Sequence, residues 1–305
     1  MATYSDEQLA RYFAHIGYQG RNARQAAGED ALEVLATLQR LHLARVPFES
    51  LTLHYSRHRL LSLDPDALFD KIVGNSRGGY CMEVNTFFAT VLRSLGFTLI
   101  SVGGRVRVAD QYTGWSHMAN LVTINSTRYL VDVGFGSNGP PHPVLLVDGH
   151  EFVGIAPVRG RLQHRALEEH TDPNQRAWVY STQDAEGAPW RDQYAFVELE
   201  FLPADFEVMN LHTMTMPQSY FVQTVLCMRT LLDEGDQTAC GVVILHRDYV
   251  KTRVGPLAVE TIEALETEEQ RVRALEKHFK VLITPDEQRA ICGLASELRP
   301  KGPSP

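Results

Sequence analysis

The sequence predicts an α+β protein built as three consecutive units, helical, then β, then mixed. Three observations carry this. Apolar residues recur at the 3.6-residue helical period through the N-terminal third of the chain. From Thr98 onward the pattern changes to β-branched residues and alternation, broken by Gly, Pro and Asp clusters. After Pro203 both patterns recur in turn. The units are residues 1–96, 97–202 and 203–305, the last ending in a tail, Arg299 to Pro305, that has nothing to bury and reads as mobile.

Each element has its own signal. Leu9, Tyr12, Phe13 and Ile16 mark a first helix, Leu32, Leu35, Leu38 and Leu41 a second within Asp30 to Leu43, and Asp64 to Val73 a third. A fourth opens near Cys81, where Val84, Phe87, Phe88, Val91, Leu92 and Leu95 form one stripe and Gly96 supplies the stop. Strands follow at Thr98 to Val108, His117 to Ile124, Thr127 to Val133, Glu151 to Val158, Arg176 to Thr182 and Gln193 to Glu200. Many short strands in a row point to a barrel or a sandwich. Beyond Pro203 the reading is a helical stretch at Ala204 to Leu211, strands at Ser219 to Arg229 and Thr238 to His246, and then two helices. These are Glu268 to Lys280 after Thr267, and one with Thr284 as N-cap and Pro285 in its first turn.

Composition narrows the function classes. With 305 residues, 44% of them hydrophobic and 22% charged, the chain can bury a sizeable core. A net charge of -8 argues against the clustered Lys and Arg that nucleic-acid binding needs, although a small anion needs only a few local donors. The start MATYSDEQLARYF is polar and amphipathic, without the features of a leader, and no apolar run approaches the roughly 20 residues that span a bilayer. The expectation is a soluble cytoplasmic protein that binds no membrane. Cys81, Cys227, Cys240 and Cys292 share no metal-ligand spacing, so neither a metal site nor a disulfide framework is expected.

One of these thiols stands apart. Ser76-Arg-Gly-Gly-Tyr-Cys-Met-Glu-Val-Asn85 places Cys81 after two glycines and at the start of an apolar-periodic helix. Free backbone N–H groups and the positive end of the helix dipole favour a thiolate there, and the same N–H groups suit an oxyanion. The alternative is a structural cysteine beside a plain turn. A thiol with an ordinary pKa of about 8.5 needs a base, and His117 begins a predicted strand that pairs through the two turn residues Asn125-Ser126. In that register opposite positions sum to 251, so Asp132 becomes the diagonal neighbour of His117 on the same face, about 7–8 Å away by backbone. Asp132 also ends an apolar strand, where a charge without a partner is costly. Nucleophile, base and orienting carboxylate are thereby assigned to Cys81, His117 and Asp132. Cys227, Cys240 and Cys292 read as core thiols, and Glu49, Arg77, Glu83 and Asn85 as a polar scaffold beneath the nucleophile.

At these residues the chain resembles the arylamine N-acetyltransferase family, in a eukaryotic-like or fungal-like form. Arg77, Gly78, Gly79, Cys81, Glu83 and Asn85 match its R-G-G-x-C-x-E-x-N segment. Val46-Pro-Phe-Glu49, His117 with Asn120, Val131-Asp-Val-Gly-Phe-Gly136, and Asp205 to Asn210 leading to Pro217-Gln-Ser-Tyr-Phe221 follow in the family's order. The resemblance implies a helical first domain, a β-barrel second domain and an α/β lid, with a catalytic core like that of cysteine proteases. It further implies ping-pong transfer from acetyl-CoA or another short acyl-CoA, through Cys81, to an arylamine or arylhydrazine. Carried over residue by residue, Thr113 and Gly114 lie near the acyl donor, Gly134 and Gly136 leave room for its pantetheine arm, and Phe135 walls the acceptor pocket. Gln218 and Tyr220 fall where eukaryotic members line the coenzyme cleft with small hydroxyl residues, so the donor's pose is open. A malonyl donor needs a cation, for which Arg105 and Arg107 are candidates by position, and an added helix around Asp286 to Glu297 narrows the cleft.

Two other readings share the residues. A cysteine hydrolase or transglutaminase-like enzyme uses the same Cys, His, Asp order, and the triad alone does not separate transfer to an amine from transfer to water. An inactive binding module on this fold predicts loss of a triad member, yet all three are present.

Overall fold

The computed structural model describes residues 2–20, 22–255 and 257–299. The N-terminal third is helical: α1 (Asp6–Ile16), α2 (Ala23–Glu29), α3 (Ala31–Arg45), α4 (Thr52–Tyr55), α5 (Pro65–Phe69) and α6 (Cys81–Ser94), with a short strand β1 (Phe48–Glu49) before α4. Reciprocal bonds between Ser5 and Gln8 start α1, and Gly17, at φ +75°, ends it. The helix predicted over Asp64 to Val73 is α5 followed by a π-helical turn, Asp70–Gly74. Gly96 takes the left-handed conformation just past the end of α6, as its place in the pattern suggests. The apolar faces of α1, α3, α5 and α6 meet in one core around Tyr12, Leu35, Phe69, Phe87 and Phe88. Val122, Val131 and Val133 enter the same core from the neighbouring sheet.

That sheet comprises β2 (Thr98–Val108), β3 (Gln111–Tyr112), β4 (His117–Ile124), β5 (Thr127–Val131), β6 (Val144–Leu145), β7 (Glu151–Val153), β8 (Arg159–Arg165), β9 (Ala177–Gln183) and β10 (Arg191–Glu200). Its order is β6-β5-β4-β2-β10-β9-β8-β7, with β3 paired to β2. The two end strands are joined by residues 146–150. Side chains from both ends, Val144 and Phe152, share an interior with Val102, Leu121, Leu130, Leu162 and Tyr194. The sheet is therefore curled into a nearly closed barrel, which removes most of its exposed edge. The strand expected to run to Val158 stops at Val153 because the Gly154 N–H bonds Val158 O and reverses the chain, pairing Val153 with Arg159. The polar run Arg159–Arg165 then forms β8.

The remainder comprises α7 (Pro203–Thr215), α8 (Tyr220–Gln223), β11 (Leu226–Leu232), β12 (Ala239–His246), β13 (Tyr249–Val254), β14 (Val259–Ala264), α9 (Glu268–Phe279) and α10 (Pro285–Ala290). The strands form an antiparallel sheet in the order β1-β11-β12-β13-β14, so β1 from the helical third becomes its edge. Two readings are corrected here. The strand expected from Ser219 begins only at Leu226, because residues 220–223 turn as a helix that packs Phe221 on Tyr80 and Phe48, a tertiary contact that overrides the β-propensity of Tyr-Phe-Val. The stretch between His246 and Glu268, to which no element was assigned, forms the hairpin β13–β14, whose outer strand is exposed throughout. The C-terminal helix is shorter than expected: Pro285–Ala290 is followed by turns. The expectation of a mobile tail past Arg299 falls outside the described residues. Among the described residues no helix is long and apolar enough to cross a membrane.

Candidate active site

Cys81 is the first residue of α6, and its Sγ lies 3.7 Å from the carbonyl oxygen of Ser116, the residue before β4. The first-turn N–H groups of a helix lie ahead of its hydrogen-bond ladder and point along the dipole. Local bonds set the corner. The Tyr80 N–H bonds Glu83 Oε2 at 3.2 Å, and the Glu49 N–H bonds Gly79 O at 3.0 Å. A Cβ at Gly78 would fall 1.7 Å from Pro47 O, so this position must be glycine for the R-G-G segment to reach β1.

The hairpin carrying His117 and Asp132 has the register read from the sequence: Ile124 faces Thr127, Asn120 faces Val131, and Asn125 and Ser126 both have positive φ. β5 ends at Val131, and Asp132 leaves the ladder to meet the imidazole, with Oδ2 2.7 Å from His117 Nε2. Its Oδ1 accepts from Asn85 Nδ2 at 2.9 Å and from the Gly134 N–H at 2.8 Å. Asn85 in turn bonds Met118 O and accepts from the Val133 N–H, which ties α6 to both strands of the hairpin. Burial alone would push the His117 imidazole down. The charge and hydrogen bond of Asp132, together with the hydrogen bond and charge of Cys81, outweigh it and push the group up to about 10. For Asp132, burial opposes ionisation but the His117 charge and three hydrogen bonds win, holding the carboxyl below its ordinary value. Since Nε2 is taken by Asp132, Nδ1 is the nitrogen left for Cys81.

Beneath the corner lies the charged group anticipated around Glu49, Arg77 and Glu83. Glu83 Oε1 is 2.6 Å from Lys71 Nζ, and burial pushes its carboxyl up against the pull of that lysine. Glu49 accepts from the N–H groups of Gly78 and Leu51, and lies 3.9 Å from both Lys71 Nζ and Arg77 Nε. Arg77 also pairs with Glu287 of α10 at 2.9 Å.

A Cβ at Gly134 would sit 2.7 Å from both Cys81 Cα and Asn85 Nδ2, so the missing side chain admits the helix that carries Cys81. At Gly136, with φ +65°, the nearest atoms are Met228 Sδ and Phe48. Phe135 is half-buried with its ring edge-on to His117 at 5.0 Å. Thr113 and Gly114 lie in the loop that delivers Ser116: Thr113 Oγ1 is 2.6 Å from Ser116 Oγ, and Gly114 is exposed. Gln218 is exposed, and Tyr220 stacks on His246 at 6.1 Å. Arg107 is ion-paired with Glu169 at 3.0 Å, whereas Arg105 lies over the Trp115 ring at 4.1 Å and has no carboxylate partner among the described residues.

Sequence reasoning passed over two side chains, one packed on His117 and one beneath the corner at Cys81. Tyr194 packs on His117 at 4.6 Å, and burial together with the nearby Asp132 charge pushes its phenol far up. Lys71 is the cation of the buried carboxylates. Its signal was available, since a buried Glu83 and Glu49 require a positive partner. Cys227 is fully buried and its thiol is pushed well up by burial, as expected of a core cysteine. Cys240 is half-buried, and Cys292 lies exposed in the turns after α10, so these two are not core thiols.

The comparisons with known proteins agree with this geometry. The N-acetyltransferase family model matches residues 31–287. N-malonyltransferase FDB2 of Fusarium pseudograminearum is 38% identical over 97% of this chain and 94% of its own length. Arylamine N-acetyltransferase 2 of Mesocricetus auratus is 31% identical over 79% and 83%. The structure of Mycobacterium marinum arylamine N-acetyltransferase in complex with CoA superposes with a TM-score of 0.76, covering 93% of this chain and 98% of that one at 24% identity. A family model matched over residues 31–287, with relatives 38% and 31% identical over most of the chain, places this protein in the arylamine N-acetyltransferase family of acyltransferases.

Proposed function

We propose that the protein is an acyl-CoA:arylamine N-acyltransferase that works by a ping-pong mechanism through an acyl-thioester on Cys81. The observation that carries this reading is the His117–Asp132 contact of 2.7 Å, set against a cysteine at the start of α6 whose Sγ lies 3.7 Å from the carbonyl of Ser116, the residue before His117. Asp132 orients the ring and favours its protonated form, so the thiol proton passes to Nδ1 as Sγ attacks the acyl carbonyl. The bond from acyl carbon to coenzyme sulfur breaks, His117 returns the proton to the leaving thiolate, and CoA departs. The amine nitrogen then attacks the thioester carbonyl and gives its proton to His117. The acyl–Sγ bond breaks, leaving the amide and the free cysteine. N–H groups of the first turn of α6 face the oxyanion of each tetrahedral step. On this reading residues 1–96 carry the nucleophile, 97–202 the base and the orienting carboxylate, and 203–305 the lid, an arrangement like that of cysteine proteases. Family membership favours an amine over water as the acceptor.

A second reading concerns the donor. The relative named as an N-malonyltransferase favours malonyl over acetyl, as does Arg105, which donates to Thr113 O in the loop that touches Cys81 and has no carboxylate partner among the described residues. Intact-mass analysis with acetyl-, propionyl- or malonyl-CoA and no amine tests both. One acyl adduct mapping to Cys81 identifies the half-reaction and its donor, and its absence with all three, in protein whose Cys81 still alkylates, would refute the reading.

A further inference from the structure

Phe221 is the ring that α8 turns toward the nucleophile. It packs edge-on to Tyr80 at 5.2 Å and 81°, and to Phe48 at 5.9 Å and 74°. It shares an apolar cluster with Cys81, Met82, Met118 and Met209. α8 covers only Tyr220–Gln223, and so short a helix has little stability of its own with which to hold a ring in place.

The holding group is His54 on α4. Its Nε2 lies 2.9 Å from Phe221 O and 3.0 Å from Thr224 O, and its Nδ1 lies 2.8 Å from Ser296 Oγ. One neutral tautomer satisfies all three: Nε2–H donates to the carbonyls and Nδ1 accepts from the hydroxyl. The ring is fully buried, which keeps it in that neutral form. Ser296 is fixed from its other side, because its carbonyl accepts from Arg271 Nη2 at 2.8 Å. Arg271 is itself fully buried, paired with Glu268 and bonded to Tyr55 Oη at 3.0 Å. A segment beyond the last helix therefore reaches the ring beside Cys81 through one imidazole.

We propose that His54 is a positioning residue for the aryl acceptor: with Ser296 it fixes the carbonyls of Phe221 and Thr224, and so holds the Phe221 ring where an aromatic amine packs beside Cys81. This rests on the acceptor class proposed above. An aryl group entering the cluster meets the half-buried rings of Phe221 and Phe48, which the fully buried Tyr80 backs from the interior, a setting that favours rings over aliphatic amines. His54 is hydrogen-bonded to none of Cys81, His117 and Asp132 among the described residues, so it acts on where the ring sits and not on the thiol's own reactivity.

The test is the ratio of Cys81 alkylation rates by iodoacetanilide and iodoacetamide, read by peptide mass on the full chain. Both reagents form the same Sγ–carbon bond and release iodide, and only the first carries an aryl ring. The wild type should favour iodoacetanilide. His54→Phe should cut that ratio about tenfold, as misplacement of a positioning group does, with the iodoacetamide rate held within about twofold. Ser296→Ala, which removes one hydroxyl from the outer segment, should lower the ratio in the same direction and keeps the test open where His54→Phe does not fold. His54→Gln, whose amide N–H can still donate to a carbonyl, should retain most of it. A ratio equal to wild type in both folded variants His54→Phe and Ser296→Ala, or equal losses with both reagents, would overturn the proposal. A wild type that loses its aryl preference on substitution of His54, yet forms no Cys81 adduct with any acyl-CoA, would overturn the donor reading and leave this one standing.

Discussion

Replacing Asp132 by Asn separates charge from shape at the centre of the site. Oδ1 accepts two N–H bonds, from Asn85 and Gly134, so that position must stay an oxygen and the new amide nitrogen is forced into the place of Oδ2, facing His117 Nε2. An N–H donor there requires Nε2 to accept, which puts the ring proton on Nδ1, where the thiol proton must go. The substitution thus blocks the base by tautomer as well as by lost charge. The present surroundings raise His117 from 6.5 to about 10, a preference for the charged ring on the order of 5 kcal/mol at about 1.4 kcal/mol per pKa unit. Removing it should lower the single-turnover acylation rate of Cys81 by about a thousandfold to ten-thousandfold. Quenched-flow mass analysis at saturating acyl-CoA measures that step alone, and circular dichroism checks that the fold is kept. A folded Asp132→Asn protein acylated within tenfold of wild type would refute the assignment of base and orienting group together.

Two further outcomes follow from the same contacts. Gly134→Ala places a Cβ 2.7 Å from Cys81 Cα and Asn85 Nδ2, and overpacking of this kind costs about 1–3 kcal/mol, so a lowered Tm should accompany slower acylation; unchanged values in both would show that the helix and the hairpin turn have slack between them. Stability should also depend on pH. The raised His117 contributes fully below about 6.5 and loses its contribution as pH rises toward about 10, whereas Asp132, held low, loses its own only in acid. Urea midpoints should therefore fall across that alkaline window in wild type and fall less in Asp132→Asn, and a flat wild-type profile would remove the buried ion pair from the account.

Much of the site was legible because it is governed by short-range rules. The Asn125-Ser126 turn set the register, the register set the parity, and parity brought Asp132 to His117. The glycines before Cys81 and the stripe after it marked a helix start correctly. The misses have a common cause in contacts between distant segments. Tyr-Phe-Val at 220–222 has strand propensity, and only packing on Tyr80 makes it helical. β14 is exposed along its whole length and carries no apolar face to recognise. At Gly134 nothing local says that the Cα of residue 81 lies against it. Lys71, Tyr194 and His54 each meet their partners across breaks in the chain that no periodicity spans.

The hairpin also constrains how this sequence can vary. The tip at Asn125-Ser126 is at the surface, a kind of position that ordinarily tolerates inserted residues. Here one inserted residue would slide β5 by a single step along β4 and turn Asp132 away from the imidazole it now meets. The length of an exposed two-residue turn is thus constrained by the buried residues it aligns, because the same one-step slip would also move Leu130 and Val131 off the core faces they fill.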